Sequence, residues 1–442
     1  MEILIKVLQL LLSLSILVIV HEFGHYLAAR IFRTRVEKFY LFFNPWFSIF
    51  KFRVGETEYG LGWLPLGGYV KISGMIDESM DKEQMSQPPQ PWEFRSKPAW
   101  QRLIIMLGGV TMNVILAFVI YIGMLSVYGE QYLPTSEANK YGIVADSLAR
   151  DFGLRNGDKI ISVDGKSVEE FHRIPLVMIL EEAKTVQVNR NGQLLNLNLP
   201  EGAIGKLVKH QSPYFLSVRI PFVVQSFAEQ SPARDAGLLV GDTILGVNGN
   251  LLIFFPDIRE DIQKYKGQQV AINIKRGADS LDIPVTVSNE GYIGVMANQK
   301  MDAFFELNEK SFSFIEAIPA GMVKTIDGIG GYLKQLRLIF SPEVKAYESV
   351  GGFITIGSIF PSEWHWESFW RLTAFLSIML AVLNLLPIPA LDGGHVMFLG
   401  YEIITRRKPG DKFMEYAQIA GMVLLFGLLI FANGNDIVKL FR

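Results

Sequence analysis

Four runs of the chain are apolar for long enough to cross a bilayer, which takes about 20 mostly apolar residues. They cover roughly Leu4 to Ala29, Leu103 to Tyr128, Phe369 to Leu386 and Met414 to Ala432, and each predicts a spanning helix. Between the second and third runs the pattern changes. Short alternations of apolar and polar residues, separated by Gly-Asp, Asp-Gly and Asn-Gly turns, predict strands and hairpins there. The first run sits where a signal peptide would, but its apolar stretch is too long for one and is read as retained.

The middle region contains two copies of one pattern. "SLARDFGLRNGDKIISVDG" (147 to 165) and "SPARDAGLLVGDTILGVNG" (231 to 249) share eleven residues at a constant offset of 84. A period of that length is a domain rather than a solenoid repeat. The segment from 312 to 340 is apolar at mixed helical spacing, interrupted by Pro319 and by Gly328, Gly330 and Gly331. Those glycines and Asp327 argue against a fifth span, which leaves surface helices or a helical connector packed on the repeat domains. In the loop after the first span, "TEYGLGWLPLGGYVKI" (57 to 72) predicts a glycine-rich hairpin, and "SQPPQPWEFRSKPAW" (86 to 100) a proline-rich linker. The expected division is therefore 1–128, 129–220, 221–308, 309–368 and 369–442.

Charge adds an orientation. Arg30, Arg33, Arg35 and Lys38 follow the first span, Arg95, Lys97 and Arg102 precede the second, and Arg406, Arg407, Lys408 and Lys412 lie between the third and fourth. Positive charge marks cytoplasmic loops, so the middle region and both termini are expected outside. The 442 residues carry a net charge of -2, which offers no basic face for nucleic acid. With no cysteine, disulfides, thiolate metal sites and a cysteine nucleophile are excluded, and any metal site must use His, Asp or Glu.

Such a site is written into the first span. His21 and His25 are four apart, so on a helix both imidazoles project from one face, with Glu22 beside them. This is H-E-x-x-H, in which two neutral histidines hold zinc and the Glu serves as base to an activated water. Ionisable groups within a span are costly and mark function more often than packing. Catalytic zinc takes three protein ligands, and "NLLPIPALDGGHV" (384 to 396) is the best source of the third. Pro387 and Pro389 break the third span just before Asp392, at the depth that places His25 about 7.5 Å from Arg30 by helix rise. His395 is open between a supporting donor, a turn residue and a substrate contact.

These residues carry a resemblance. HEFGH, "GWLPLGGYVKI", "GGVTMNVILA" in the second span and "NLLPIPALDGGH" in the third resemble, in order and over nearly the whole chain, the site-2 protease family of zinc intramembrane proteases, of the bacterial regulator-of-sigma-E type. The two repeats resemble circularly permuted PDZ domains. The resemblance implies a multi-pass α-helical membrane protein of four spans, with a membrane-associated β-hairpin and two PDZ-like domains inserted between spans 2 and 3. It implies one zinc on His21, His25 and Asp392, Glu22 as acid and base, and substrate contacts from Asn384, Asn113, Gly67, Gly68 and Tyr69. It further implies transmembrane-helix substrates already shortened outside the membrane, anti-sigma factors or remnant signal peptides among them. Peptide C-termini would be partners of the PDZ-like domains, membrane lipid a further partner, and the inner membrane the location.

The chain departs from the family pattern at four places. Val110 follows Gly109 where a proline is usual, Phe353 stands in the proline place of "GGFITI", "LFFNPWF" replaces a Gly-Phe-Gly signature, and Met379 holds the position of a second Asn. None is a metal ligand, so they bear on substrate preference rather than on reaction class. The competing class is a membrane-anchored peptide-binding scaffold with a degenerate metal site.

Overall fold

The computed structural model describes residues 2–65, 67–75, 87–210, 214–339 and 351–440. Leu66 of the expected hairpin, Ser86 of the linker and Phe340 at the end of the 312 to 340 segment lie outside the described residues. The described residues form two compact units, the first drawn from 2–129, 311–339 and 351–440, the second from 130–310.

Among the described residues, seven helices organise the first unit: α1 (Glu2–Ile31), α2 (Ala99–Tyr128), α3 (Phe314–Ile339), α4 (Phe353–Ser358), α5 (Trp366–Leu385), α6 (Asp392–Thr405) and α7 (Asp411–Leu440). Four of them, α1, α2, α5 and α7, are long and apolar enough to cross a membrane. Helix α2 is central and packs against α1, α3, α5 and α6. Small residues make its approach to α1 close, since a Cβ on Gly24 would lie 2.2 Å from the Gly108 carbonyl oxygen. Polar groups join the same helices. Thr373 donates to Ser13 at 3.0 Å and Ser377 donates to the Asn113 carbonyl at 2.8 Å, so apolar helices are fixed in register by hydrogen bonds that lipid cannot replace.

The 312 to 340 segment differs from both expectations. Residues 314 to 339 form one continuous helix, α3, that includes Pro319 and packs on α2 and α5. Two of its glycines are contact points: a Cβ on Gly321 would come within 3.0 Å of Ile122, and one on Gly328 within 2.7 Å of Ile378, whereas Gly330 and Gly331 meet nothing within 4 Å and are simply accommodated in the helix. Helix α6 lies between the third and fourth spans, a stretch for which the sequence predicts no helix.

Residues 36 to 72 form a four-stranded sheet of order β2-β3-β1-β4, with β1 Val36–Leu41, β2 Phe43–Val54, β3 Thr57–Leu64 and β4 Tyr69–Ile72. The hairpin expected over 57 to 72 is thus corrected. Strand β3 pairs with β2 on one side and runs parallel to β1 on the other, while β4 pairs antiparallel with the opposite edge of β1. The true hairpin is β2–β3, turning at Gly55 (φ 60°). Packing explains the glycine spacing. A Cβ on Gly60 would meet the Tyr40 ring at 2.2 Å and one on Gly62 the Phe43 carbonyl at 2.2 Å, so these glycines admit neighbouring strands rather than mark turns.

The second unit is rich in sheet. Its first and last strands, Glu130–Tyr132 and Asn308–Lys310, pair antiparallel and close the module on itself. The repeated pattern is matched by repeated contacts. Arg190 and Arg276 clasp Asp158 and Asp242 with two hydrogen bonds each, and both arginines also donate to a glycine carbonyl, Gly153 and Gly237. Both carboxylates accept from the backbone N–H three residues earlier, Arg155 and Leu239. The guanidinium of Arg276 holds the Asp242 carboxyl below its ordinary range. Each copy has its own apolar core, around Phe171, Ile174 and Val188 in the first and Ile244, Ile258 and Ile272 in the second.

Candidate active site

His21 and His25 stand one turn apart on α1, and Asp392 arrives from the distant end of the sequence as the first residue of α6. Their ligand atoms converge. His21 Nε2 and His25 Nε2 each lie 3.3 Å from Asp392 Oδ2, and the two nitrogens are 3.3 Å apart. A tetrahedral zinc with bonds of about 2.0–2.1 Å has ligand-to-ligand edges of about 3.3–3.4 Å, so this triangle has the dimensions of one face of a zinc tetrahedron. Three protein ligands leave one vertex for a reactant, as catalytic zinc requires. Asp392 Oδ2 is buried and makes no hydrogen bond, a costly state for a carboxylate unless a cation completes it. Among the described residues no other group of histidines and acids is clustered this way. The residues present therefore fit zinc.

The outer nitrogens of both imidazoles are oriented from α2. His25 Nδ1 lies 2.9 Å from the Ile105 carbonyl, to which it donates, leaving Nε2 as the ligand. His21 Nδ1 lies 3.2 Å from the side-chain amide of Asn113, whose oxygen is otherwise buried without a partner. Exchanging the two ends of that amide gives the oxygen to His21 Nδ1–H, which satisfies both groups and frees Nε2 for a metal. Asn113 is fully buried and sits behind His21, off the cavity wall.

A cavity of about 370 Å³ opens beside the triangle, lined by Glu22, Gly68, Tyr69, Val70, His395 and Gln418 among others. Glu22 flanks the ligand pair, with the Val70 N–H directed at its carboxylate. Gly68 admits α1 against the sheet, since a Cβ there would lie 2.6 Å from both Val18 and the Tyr40 carbonyl. Tyr69 stacks on Tyr40 with centroids 5.3 Å apart and donates to Asn44. Gly67 (φ 142°) packs beside Phe43, off the cavity wall. Asn384, near the end of α5, brings its amide to 3.5 Å from His21 Nε2. His395 is buried on the wall one turn after Asp392.

Two residues of the site escaped the sequence reading. Gly109 of α2 faces the imidazoles so closely that a Cβ would lie 2.4 Å from His25 Nε2 and 2.6 Å from His21 Cε1. The glycine pair was visible, but what it faces was not. Gln418 of α7 is buried and accepts from Ala390 N–H at 3.1 Å; its only signal was an uncharged polar residue within an apolar run.

The chain matches the model of peptidase family M50 over residues 9–428. It is 30% identical to a protein of Campylobacter jejuni over 99% of this chain and 94% of that one, and 27% identical to one of Vibrio cholerae over 99% and 100%. Both are named "Putative zinc metalloprotease". It is also 27% identical to the regulator of sigma E protease of Haemophilus influenzae, over 97% of this chain and 98% of that one. With the match covering nearly the whole chain and the donor set in place, the chain belongs to peptidase family M50 and is a zinc metalloprotease of the site-2 protease type.

Proposed function

We propose that the protein is an intramembrane endopeptidase that holds one zinc on His21, His25 and Asp392 and cleaves unwound transmembrane segments. The observation that carries this reading is the 3.3 Å triangle of donor atoms built on a helix apolar enough to span a membrane. When bound, zinc supplies Lewis acidity to a water molecule and to a peptide carbonyl. Glu22 takes the proton from the attacking water and returns it to the leaving amine. His25 and His21 keep their Nε2 lone pairs available because Ile105 and Asn113 hold the opposite nitrogens.

A helical substrate hides its carbonyls in its own hydrogen bonds, so it must unwind, and its freed backbone groups need partners away from water. Strand β4 supports that role. It pairs with β1 on one edge, its Val70 N–H points to the Glu22 side, and it borders the cavity. Strand β3 is paired on both edges and has none to offer. Substrate thus adds as a further strand along Tyr69–Ile72, with Asn384 supplying a side-chain amide nearby. The β2–β3 hairpin exposes Trp46, Phe47, Ile49, Phe50 and Phe52, a patch suited to the lipid interface.

The two sheet-rich repeats are read as PDZ-like filters for the outer portions of substrates. In the second, a cavity of about 400 Å³ lies beside strand Val295–Ala297, lined by Phe222, Phe255, Ile262 and the 291–294 glycine turn, where a peptide C-terminus fits. The charge distribution supports an orientation with these repeats and both termini outside and the catalytic cavity toward the cytoplasm. By resemblance the substrates are anti-sigma factors or remnant signal peptides in an inner membrane.

The test is cleavage of a single-span reporter in liposomes. The full chain is expected to cut within the span, with product masses placing the cut there, and Asp392→Ala is expected to leave the reporter intact. Cleavage confined to the water-exposed flanks, or undiminished in Asp392→Ala, would overturn the reading.

A further inference from the structure

We propose that α7 sets the geometry of the metal site, with Gln418 and Gly421 as positioning residues for Asp392; this rests on the metal-site reading above. The segment from Leu386 to Leu391 must carry the chain from the end of α5 to the ligand at the start of α6. It does so through Ala390 at φ 77°, a left-handed conformation that an L-residue with a side chain keeps only when its surroundings fix it. The fixing contact comes from α7. The Ala390 N–H donates to Gln418 Oε1 at 3.1 Å, and the Gln418 side chain is buried on a helix that otherwise buries little of its apolar length.

One turn further along α7, Gly421 lies against the same segment. A Cβ there would stand 1.8 Å from the Pro389 carbonyl oxygen and 2.3 Å from its carbon, so the two backbones touch and only glycine fits. On its other side the segment is closed by α6. Gly394 N–H donates to the Leu391 carbonyl at 3.0 Å, and a Cβ on Gly394 would lie 2.7 Å from both the Ile388 carbonyl oxygen and Pro389 Cα. The segment is held between two helices, and Asp392 follows it directly. A change in its contact with α7 therefore moves the carboxylate relative to His21 and His25. An ordinary packing glutamine would have no such link to a ligand two residues from its partner.

The experiment uses the full chain in detergent, loaded with cobalt or with zinc, and reads the visible spectrum of the cobalt form and the rate of zinc release to a chromophoric chelator. Gln418→Met removes the acceptor and keeps the length. It is expected to release zinc about 10–100-fold faster, the range seen when a group supporting a ligand is lost, and to weaken the tetrahedral cobalt bands. Gln418→Glu retains an acceptor oxygen and should restore both readouts. Gly421→Ala, which leaves Gln418 in place, should reproduce the Met variant, and it carries the test where Gln418→Met does not fold. Wild-type spectra and release rates in Gln418→Met would overturn the inference, as would equal loss in the Met and Glu variants, which would make packing rather than the hydrogen bond responsible. A wild-type chain that took up neither metal would instead overturn the metal-site reading itself.

Discussion

Glu22→Gln is expected to retain zinc while its cleavage of a reporter span falls by about 10²–10⁴-fold, the usual contribution of a positioned acid or base. Gln has nearly the shape of Glu, so the wall of the cavity and the Val70 contact survive the exchange. What disappears is the capacity to accept a proton from water and to return it to the amine. Metal content and cleavage, measured on the same preparation, separate this from loss of the site. Zinc lost together with activity would make Glu22 a structural partner of the ligands rather than the group that moves the proton.

Gly109→Ala is expected to abolish the metal site from the opposite side, although it touches no ligand by mutation. The added methyl would stand 2.4 Å from His25 Nε2 and 2.6 Å from His21 Cε1, well inside contact distance. Helix α2 has little room to retreat, because it is packed against α3, α5 and α6 as well as α1. The imidazoles must therefore swing away, and zinc affinity should drop by at least the ~100-fold that loss of a supporting group costs. Gly123→Ala on the same helix is the control. A Cβ at that position meets nothing within 4 Å, so zinc affinity and cleavage should be unchanged. Competition with a chelator of known affinity checks both variants, and unaltered zinc binding in Gly109→Ala would show that the rings are more mobile than the packing implies.

The part of the site that could be read from sequence is the part fixed by local geometry. His21, Glu22 and His25 are legible because a helix puts residues four apart on one face. Asp392 was within reach because two prolines end an apolar run just before it. The rest depends on what each residue meets across the fold. Gly109 and Gly421 look like any glycine in a span until the imidazole or the Pro389 carbonyl opposite is known, and Gln418 has no meaning without the left-handed Ala390. Asn113, grouped with substrate contacts from its motif, lies behind His21 and orients its ring. The sheet was misjudged for a related reason. Glycines at 60, 62, 67 and 68 read as turn signals, whereas most of them open space for Tyr40, Phe43 or α1, and the strand that separates β3 from β4 is Val36–Leu41, which precedes both in the chain. Likewise Gly328 of α3 reads as a break and is a site of helix contact. In a membrane protein glycine serves both purposes, and only its neighbour decides between them.

The most direct test of the account is X-ray absorption at the zinc edge on the purified full-length protein, with metal content measured alongside. One zinc per chain is expected, with two imidazole nitrogens and at least one carboxylate oxygen at about 2.0–2.1 Å, and Asp392→Ala should lose the metal or replace the carboxylate oxygen with water. A protein without stoichiometric zinc, or a zinc whose surroundings are unchanged in Asp392→Ala, would contradict it.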